Sequence, residues 1–328
     1  MSRVVTFGEI MLRLNTPGHE RFSQALTFEA ALGGAEANVA VLLARLGETA
    51  SFISKLPEHE LGQRAVDELR RYGVNVSNMI RGGNRLGLYF VEHGASQRAS
   101  QVLYDRANSA FSEAEPAEFP WRELLTGADW LHWSGITPAL SENCARITAD
   151  ALAAAKHAGL TVSFDMNYRA KLWSPEAAAR TLRPLMSQVD VCICGAGEAA
   201  GIFGVNAGSE EATAEALAGE FGFTAVMIPQ RKADTADSTK FGGLLYADGQ
   251  SFHSAQHEIT VVDRVGAGDA MTGALIFGLL RQLGPQRAID LAAAAGTLKH
   301  TIPGDFALFS LAEVEAVAAG AGGGRIQR

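Results

Sequence analysis

The 328-residue sequence predicts an α/β fold, in which a mostly parallel, doubly wound sheet carries helices on both faces and a small β-sheet forms a lid. Short apolar strands alternate with helical segments along most of the chain, which is typical of a parallel sheet covered on both faces. Two segments, about 12–32 and 85–106, interrupt this alternation with polar and aromatic residues and predict antiparallel strands of the lid. We expect a single domain over residues 1–319 and a flexible, Gly- and Ala-rich tail over 320–328.

The individual strands and helices follow from hydrophobic periodicity. Apolar runs predict strands over 4–8, 49–54, 130–134, 161–164, 189–194, 225–229 and 242–247. Apolar residues at helical spacing predict helices over 35–46, 61–72, 142–158, 175–188, 210–221 and 270–283. The last helix carries no charged residue from Ala270 to Leu280, which predicts that it is buried.

Composition and charge restrict the classes of protein and of partner. The chain is 47% hydrophobic and 20% charged, as in ordinary globular proteins, and its net charge of −8 argues against a nucleic-acid or anionic-membrane partner. The first residues resemble a strand rather than a targeting segment, and no apolar run is long enough to span a membrane. The three cysteines lack zinc-ligand spacing and are expected to be buried thiols in a reducing compartment, so we expect a cytoplasmic protein.

A glycine-containing turn joins the strand-like run 257–262 to the buried helix, with the sequence Asp263-Arg264-Val265-Gly266-Ala267-Gly268-Asp269. Backbone N–H groups can converge in such a turn at a helix N-terminus, which favours an oxyanion or a phosphate. Asp269 lies against the same point, where an acid is useful if it accepts a proton from an attacking hydroxyl. The motif indicates a kinase, although a capping role for Asp269 is the alternative if the motif is taken alone.

A second candidate site opens the first long helix. Gly33 and Gly34 permit close approach of a ligand to the backbone and hinge motion. Asn38 follows one turn later, and its amide suits a sugar hydroxyl. The alternative is that the glycines only end a strand and that Asn38 is a surface residue.

A third group of polar residues follows the strand 161–164. If the extended conformation persists, Asp165, Asn167 and Arg169 point to one side of the chain, just past the carboxyl end of a parallel strand. Ligands of open α/β sheets bind at such strand ends. Arg169 can bind a carboxylate or a phosphate bidentately, while an ordinary polar loop is the alternative for this segment alone.

Three more residues have positions that suit ligand binding. Glu198 follows the next strand and can organise magnesium and its waters around phosphates. Arg106 and Tyr89 belong to the second lid segment and could close over a small polar anion. Tyr89 alone could equally be a packing residue of the lid.

The chain has neither a Walker motif nor a Gly-x-Gly-x-x-Gly after its first strand, so a dehydrogenase is poorly supported. Instead, the Gly33-Gly34…Asn38, Asp165-x-Asn167-x-Arg169 and Gly266–Asp269 motifs together resemble the ribokinase-like (PfkB) family of sugar kinases, in the family's order and over about residues 3–318. Within that family, the likeness is to the 2-keto-3-deoxygluconate kinases, and it rests on four segments: Tyr89, Tyr104-x-Arg106, Asp165 to Trp173, and Lys299 to Asp305.

The resemblance implies a role for each candidate residue. Asp269 would be the general base, and the amides of Gly266, Ala267 and Gly268 would be the anion hole. ATP and Mg²⁺ would be the cofactors, with Glu198 and Arg231 on the nucleotide side and Glu198 contacting the metal through water. The residues expected to hold a sugar acid are Gly34, Asn38, Tyr89, Tyr104, Arg106, Asp165, Asn167 and Arg169.

Two departures from the family pattern affect the nucleotide site. Gly195 replaces the Asn that normally precedes the magnesium-site glutamate by three residues. Pro229 lies where the strand before the nucleotide loop usually carries a Thr, and it removes one backbone donor. Arg231 is expected to supply charge to the phosphates in compensation. These changes leave the nucleotide preference open.

The resemblance therefore implies an ATP-dependent kinase that converts 2-keto-3-deoxygluconate to its 6-phosphate. The alternatives are a fructokinase, a ribokinase, a keto-deoxygalactonate kinase, or a catalytically inactive sugar-binding module. A neutral sugar has no carboxylate for Arg106 and Arg169, which favours the sugar acid. We also expect a homodimer that pairs through apolar residues of the lid, namely Phe22, Leu26, Phe28, Leu88 and Phe90. The epimer, the pathway and any monovalent-cation dependence are not fixed by the sequence.

Overall fold

The computed structural model describes residues 3–233 and 235–321. Most of the tail expected at 320–328 lies outside the described residues. The chain forms a large α/β body and a separate four-stranded sheet. The main-body strands are β1 (Arg3–Phe7), β4 (Thr49–Ile53), β9 (Trp130–Ser134), β10 (Thr161–Asp165), β11 (Val191–Ile193), β12 (Ala225–Ala233), β13 (Ser238–Ala247), β14 (Gln250–His253) and β15 (His257–Thr260).

The lid is the four-stranded sheet. Its strands are β2 (Met11–Asn15), β3 (Glu29–Gly33), β7 (Leu88–Glu92) and β8 (Gln101–Asp105), and β5 (Lys55–Leu56) pairs separately with β6 (Ile80–Arg81). The longer helices are α1 (Ala35–Arg45), α2 (Glu60–Arg71), α4 (Glu142–His157), α5 (Pro175–Leu182), α7 (Glu210–Phe221), α8 (Ala267–Leu280), α9 (Pro285–Lys299) and α10 (Leu311–Ala318). Two single-turn helices, α3 (Trp121–Leu124) and α6 (Ala196–Glu198), complete the set.

The predicted parallel sheet is confirmed. Within the described residues the strand order is β14-β13-β12-β11-β10-β9-β1-β4, with β15 paired to β13. All neighbours from β12 to β4 are parallel, whereas β13, β14 and β15 form an antiparallel edge. The parallel strands bring their carboxyl ends to one edge, where the candidate residues of β10 and β11 were expected.

Helices cover both faces of this sheet, as predicted. Successive strand residues enter different apolar clusters: Val4 packs with α1, α8 and α9, while Val5 packs with α4 and α5. The buried helix α8 packs so closely on α1 that the Cβ of a side chain at Gly273 would lie 3.0 Å from Leu42.

The three cysteines are buried, as expected. Among the described residues, no helix has both the length and the apolar character needed to cross a membrane.

The lid differs from the expectation in one pairing. Its order is β3-β2-β7-β8, and the outer pairs β2–β3 and β7–β8 are antiparallel hairpins. The two hairpins meet through β2 and β7, which are parallel. A wholly antiparallel lid was therefore wrong, because β2 and β7 come from separate excursions that leave the main body in the same direction.

Several element bounds also differ. Helix α8 begins at Ala267 rather than at residue 270, so Gly268 and Asp269 belong to its first turn. The helix predicted over 175–188 ends at Leu182 and continues as a 3₁₀ segment that contains a proline. Helices α9 and α10 were not predicted. Ala-rich α9 is buried over most of its surface and lacks the polar stripe by which amphipathic helices are recognised.

Candidate active site

A cavity of about 410 Å³ lies between the lid and the carboxyl ends of the parallel strands. Its lining contains every candidate residue from the sequence except Ala267. Those residues are Gly34, Asn38, Tyr89, Tyr104, Arg106, Asp165, Asn167, Arg169, Glu198, Arg231, Gly266, Gly268 and Asp269. The motifs are far apart in the chain and meet here because the strand ends share one edge.

The turn before α8 has the geometry expected of an anion site. Gly266 is the N-cap residue with φ of 84°, and no side chain caps the helix. A side chain at this position would be strained, and its Cβ would lie 2.1 Å from the backbone oxygen of Asp305. The Ala267 N–H donates to the Arg264 carbonyl at 3.3 Å, so this amide points back into the turn. The N–H groups at Gly268 and Asp269 are left to face a ligand, as at other uncapped helix ends.

Asp269 is held at the cavity wall by Asn38. The Asn38 amide donates to Asp269 Oδ2 at 2.6 Å, and Asn38 Oδ1 accepts the Gly34 N–H at 3.3 Å. Both polar ends of Asn38 are thus engaged, which orients the carboxylate of Asp269. Burial raises the pKa of Asp269 to about 6, and the hydrogen bond from Asn38 opposes that rise. A carboxylate with this pKa is ionised at neutral pH and is a stronger base than an exposed one.

The segment after β10 reaches the cavity by a route that the sequence did not predict. The strand ends at Asp165, whose Oδ1 accepts the Asn167 N–H at 3.1 Å, and Asn167 has φ of 40°. The expected alternation of Asp165, Asn167 and Arg169 along an extended chain was therefore wrong. The tight turn still brings all three to the cavity. Arg169 is exposed at its edge.

Asp165 and Glu198 form a pair of carboxyl groups on the nearby strand ends. Burial raises the pKa of Asp165 well above its usual range, and the negative charge of Glu198 adds to the shift. Glu198 accepts the N–H groups of Tyr168 and Gly195, each at 2.9 Å. The Glu198 carboxylate is thus fixed by two backbone donors, and Gly195 contributes through its N–H although it has no side chain.

The lid contributes aromatic rings and a buried arginine. Tyr89 and Tyr104 stack with ring centroids 5.9 Å apart. The Arg106 guanidinium lies 5.6 Å from the Tyr104 ring and donates through Nε to Glu9 Oε2 at 2.8 Å. Ser109 donates to the other oxygen of Glu9. Arg106 therefore meets the cavity in a fixed orientation, with one edge occupied by Glu9.

Two residues that the sequence analysis assigned to the nucleotide lie together: Pro229 lies in β12 opposite Gly243, and both Pro229 and Arg231 line the cavity. The Arg231 guanidinium lies 5.6 Å from the Phe241 ring centroid. The aromatic contact leaves its donors available for an anion.

Sequence reasoning missed five buried charged residues, of which all except Arg13 line the cavity. The missed residues are Glu9, Arg13, Glu36, Asp263 and Asp305, although the last two lie inside quoted motifs. Burial raises the pKa of Glu36 to about 7, and its Oε1 accepts the N–H and the hydroxyl of Ser134 at 3.1 and 2.6 Å. A local signal was available for Arg13, which is a charged residue in the otherwise mostly apolar strand β2.

The chain is similar to known carbohydrate kinases over nearly its whole length. The family model described as pfkB family carbohydrate kinase matches residues 1–306. The chain is 36% identical to the 2-dehydro-3-deoxygalactonokinase of Haloferax volcanii, over 98% of both chains. It is 33% identical to the 2-dehydro-3-deoxygluconokinase of Bacillus subtilis, over 92% of this chain and 90% of the relative.

A solved structure agrees over nearly the whole chain. The crystal structure of the 2-dehydro-3-deoxygluconokinase from Thermotoga maritima has a TM-score of 0.95 and 46% sequence identity. The match covers 97% of this chain and 98% of that one. Lid, main sheet and cavity therefore all lie within the shared structure.

Proposed function

The chain belongs to the pfkB family of carbohydrate kinases, and on that basis we propose that it transfers the γ-phosphoryl group of ATP to the 6-hydroxyl of 2-keto-3-deoxygluconate. Asp269 is the general base in this proposal, and the anion hole is formed by backbone N–H groups at the start of α8, without the Ala267 amide that donates to the Arg264 carbonyl. The names of relatives support a sugar acid as the substrate class.

The observation that carries the proposal is the position of Asp269 beside the uncapped end of α8. The carboxylate accepts the proton of the sugar hydroxyl, whose oxygen then attacks the γ-phosphorus as the bond to the ADP oxygen breaks. Charge that develops on the transferred group is stabilised by the backbone N–H groups and the helix dipole. Positioning and charge neutralisation supply most of the catalysis in phosphoryl transfer.

A carboxylate on the substrate fits the positive groups of the cavity. Arg169 has no ion-pair partner within 4.0 Å among the described residues, and Arg106 is oriented by Glu9 with part of its guanidinium left over. A neutral sugar would offer Arg169 no carboxylate to bind. Both gluconate- and galactonate-type relatives are similar to this chain, so the keto-deoxygalactonate is the second candidate substrate.

Magnesium fits the pair of carboxyl groups at Asp165 and Glu198. Burial and the nearby charge of Glu198 both raise the pKa of Asp165, and a divalent cation would relieve the charge repulsion between the two groups. Within the described residues, no group of three or more His, Cys, Asp or Glu side chains is arranged to hold a metal ion. An ion at this pair would therefore take most of its ligands from water and from the nucleotide phosphates, as Mg²⁺ commonly does.

ATP consumption by the purified protein tests the proposal directly. We expect turnover with 2-keto-3-deoxygluconate, slower or comparable turnover with its galactonate epimer, and little with fructose or ribose. A preference for either neutral sugar would overturn the substrate assignment. A protein that binds the sugar acid without consuming ATP would be the inactive binding module.

The pKa of Asp269 predicts the acid side of the pH profile. Because the base must be ionised, kcat/KM should be constant well above pH 6 and should fall about tenfold per pH unit below it. Replacing Asn38 by Ala removes a hydrogen bond that favours the ionised carboxylate, so the fall should begin at a higher pH. An unchanged midpoint in Asn38→Ala would contradict this origin of the profile.

We also propose that two copies pair through the lids. Leu26 and Phe28 are 97% and 41% exposed, Leu103 is 49% exposed, and the ring of Phe90 contacts that of Phe28 at 5.8 Å. Leu88, expected on this surface, instead packs against the main core. Exposed apolar residues grouped on one small sheet commonly mark an association site.

Sedimentation at micromolar protein tests the pairing. The unmodified chain should sediment as a dimer, and Phe28→Asp should sediment as a monomer. Leu283→Asp is the matched control, since Leu283 is 43% exposed far from the lid in sequence and does not belong to it. A monomeric unmodified chain would contradict the lid dimer without affecting the kinase proposal.

A further inference from the structure

Arg13 is a fully buried arginine on lid strand β2, with 0% of its side chain exposed. Its Nη1 donates to Asp305 Oδ1 at 2.8 Å, and its Nη2 donates to Asp263 Oδ2 at 2.7 Å. Its Nε donates to Asn15 Oδ1 at 2.5 Å. One guanidinium from the lid thus holds two carboxylates that lie 250 and 292 residues away in the chain.

The first of these carboxylates shapes the turn that precedes α8. Asp263 Oδ1 accepts the Val265 N–H at 3.0 Å, and its Oδ2 accepts the Gly304 N–H at 2.9 Å. Val265 directly precedes Gly266, so the Asp263 side chain fixes the start of the anion site. Arg13 and the Gly304 N–H both donate to Asp263 Oδ2, and together they hold the orientation of the Asp263 side chain.

The second carboxylate connects the same turn with another lid strand. Asp305 Oδ2 accepts the Tyr89 hydroxyl at 2.6 Å, and the Asp305 backbone oxygen is the atom that leaves no space for a side chain at Gly266. Arg13 is therefore connected to the turn before α8 through Asp263, and to Tyr89 of β7 through Asp305.

Charge explains why an arginine suits this position. Asp263 and Asp305 are 2% and 4% exposed, and burying two carboxylates away from water is costly without positive partners. Lys299 is also fully buried, and its Nζ donates to the Ile302 carbonyl at 2.9 Å. Ion pairs of this kind contribute little net stability compared with apolar residues of similar volume, so their geometry is the more informative property. The planar guanidinium can hold two carboxylates at fixed angles, which a lysine cannot do.

We propose that Arg13 is a positioning residue for phosphoryl transfer, which ties the lid to the anion turn through Asp263 and Asp305. The inference rests on the proposed kinase function for its catalytic consequence. Displacement of the lid strands β2 and β7 would move Arg13 and Tyr89 away from the two carboxylates. The Val265 amide, which Asp263 holds, would then lose its fixed position. Closure of the lid and formation of the anion site are then one event.

Arg13→Lys is the test variant, because it keeps the positive charge and loses the fork. We expect kcat to fall about 10- to 100-fold, as for other changes that misplace reacting groups. We also expect faster hydrogen exchange at Val265 and Gly304 together with faster exchange in β2 and β7. Arg98→Lys is the matched control in the lid, since Arg98 pairs with Glu92 and does not line the cavity, and it should behave as the unmodified protein.

Two results would overturn the inference. One is an Arg13→Lys protein with unchanged kcat and KM. The other is faster exchange in the lid strands alone, with the 263–268 turn unchanged, which would assign Arg13 a purely structural role in the lid.

A measurement on the unmodified protein covers the case in which Arg13→Lys does not fold. ATP alone should slow exchange in β2 as well as in the 263–268 turn, and slowing confined to the turn would contradict the coupling. Hydrogen exchange of Arg13→Lys and of the unmodified protein can be compared without any ligand, so that comparison does not require the substrate to be known. A chain that fails to phosphorylate any sugar acid would therefore disprove the proposed function while leaving the coupling of lid and turn measurable.

Discussion

Asp269→Asn is expected to lower kcat by about 10²- to 10⁴-fold, the usual range for the loss of a general base. This corresponds to about 3–5 kcal/mol of transition-state stabilisation. The asparagine has the size of the aspartate and can still accept the Asn38 amide through its carbonyl oxygen, so the hydrogen bond at 2.6 Å can be retained. The variant should therefore fold and bind substrate with a KM close to that of the unmodified protein.

Single-turnover and steady-state rates with ATP and the sugar acid measure this effect. Asp290→Asn is a matched control, because Asp290 lies in α9 and does not line the cavity. Turnover near the unmodified rate in Asp269→Asn would remove Asp269 from the role of base. A variant with lost kcat but an unchanged melting temperature would separate a chemical defect from unfolding.

Arg169→Leu is expected to raise KM for the keto-deoxy sugar acid about 10- to 150-fold and to change KM for a neutral hexose very little. The range corresponds to one charge-assisted hydrogen bond, about 1.5–3 kcal/mol. Arg169 suits this experiment better than Arg106, because Arg106→Leu would also leave Glu9 buried without its ionic partner. Arg106→Leu should lower the selectivity in the same direction and should in addition destabilise the fold.

The control for this substitution is Arg180→Leu, an exposed arginine on α5 outside the cavity lining. Steady-state kinetics with the acid and with fructose should give a selectivity ratio that changes in Arg169→Leu and stays constant in Arg180→Leu. Equal losses for the acid and the neutral sugar would mean that Arg169 acts on the phosphate side of the cavity rather than on the substrate carboxylate.

The candidate site was predictable where its signal was local. The turn from Gly266 to Asp269 was recognisable because two glycines, an acid and an uncharged helix follow one another in the chain. Asp165, Asn167 and Arg169 line the cavity even though the conformation assumed for them was wrong. Ligands of open α/β sheets bind at the carboxyl ends of the strands, so the prediction needs only the position where β10 ends and holds despite the tight turn at Asn167.

The residues that were missed depend on distant partners. Nothing near Arg13 in sequence indicates Asp263 or Asp305, and nothing near Glu9 indicates Arg106. The parallel pairing of β2 with β7 was missed for a related reason. Strand direction depends on how the chain leaves and re-enters the main body, and a periodic pattern of side chains does not record it.

The sequence by itself determined the alternation of strands and helices, the strand edge that carries the candidate site and the position of the glycine turn before α8, because hydrophobic period and glycine placement act over a few residues. Only the tertiary structure decided which charges are buried together. Asn38 orients Asp269, Glu9 orients Arg106, and Arg13 joins lid and turn because folding brings these groups within hydrogen-bond distance. A buried charge must find a partner wherever the fold supplies one, so such pairs are set by the packed chain as a whole.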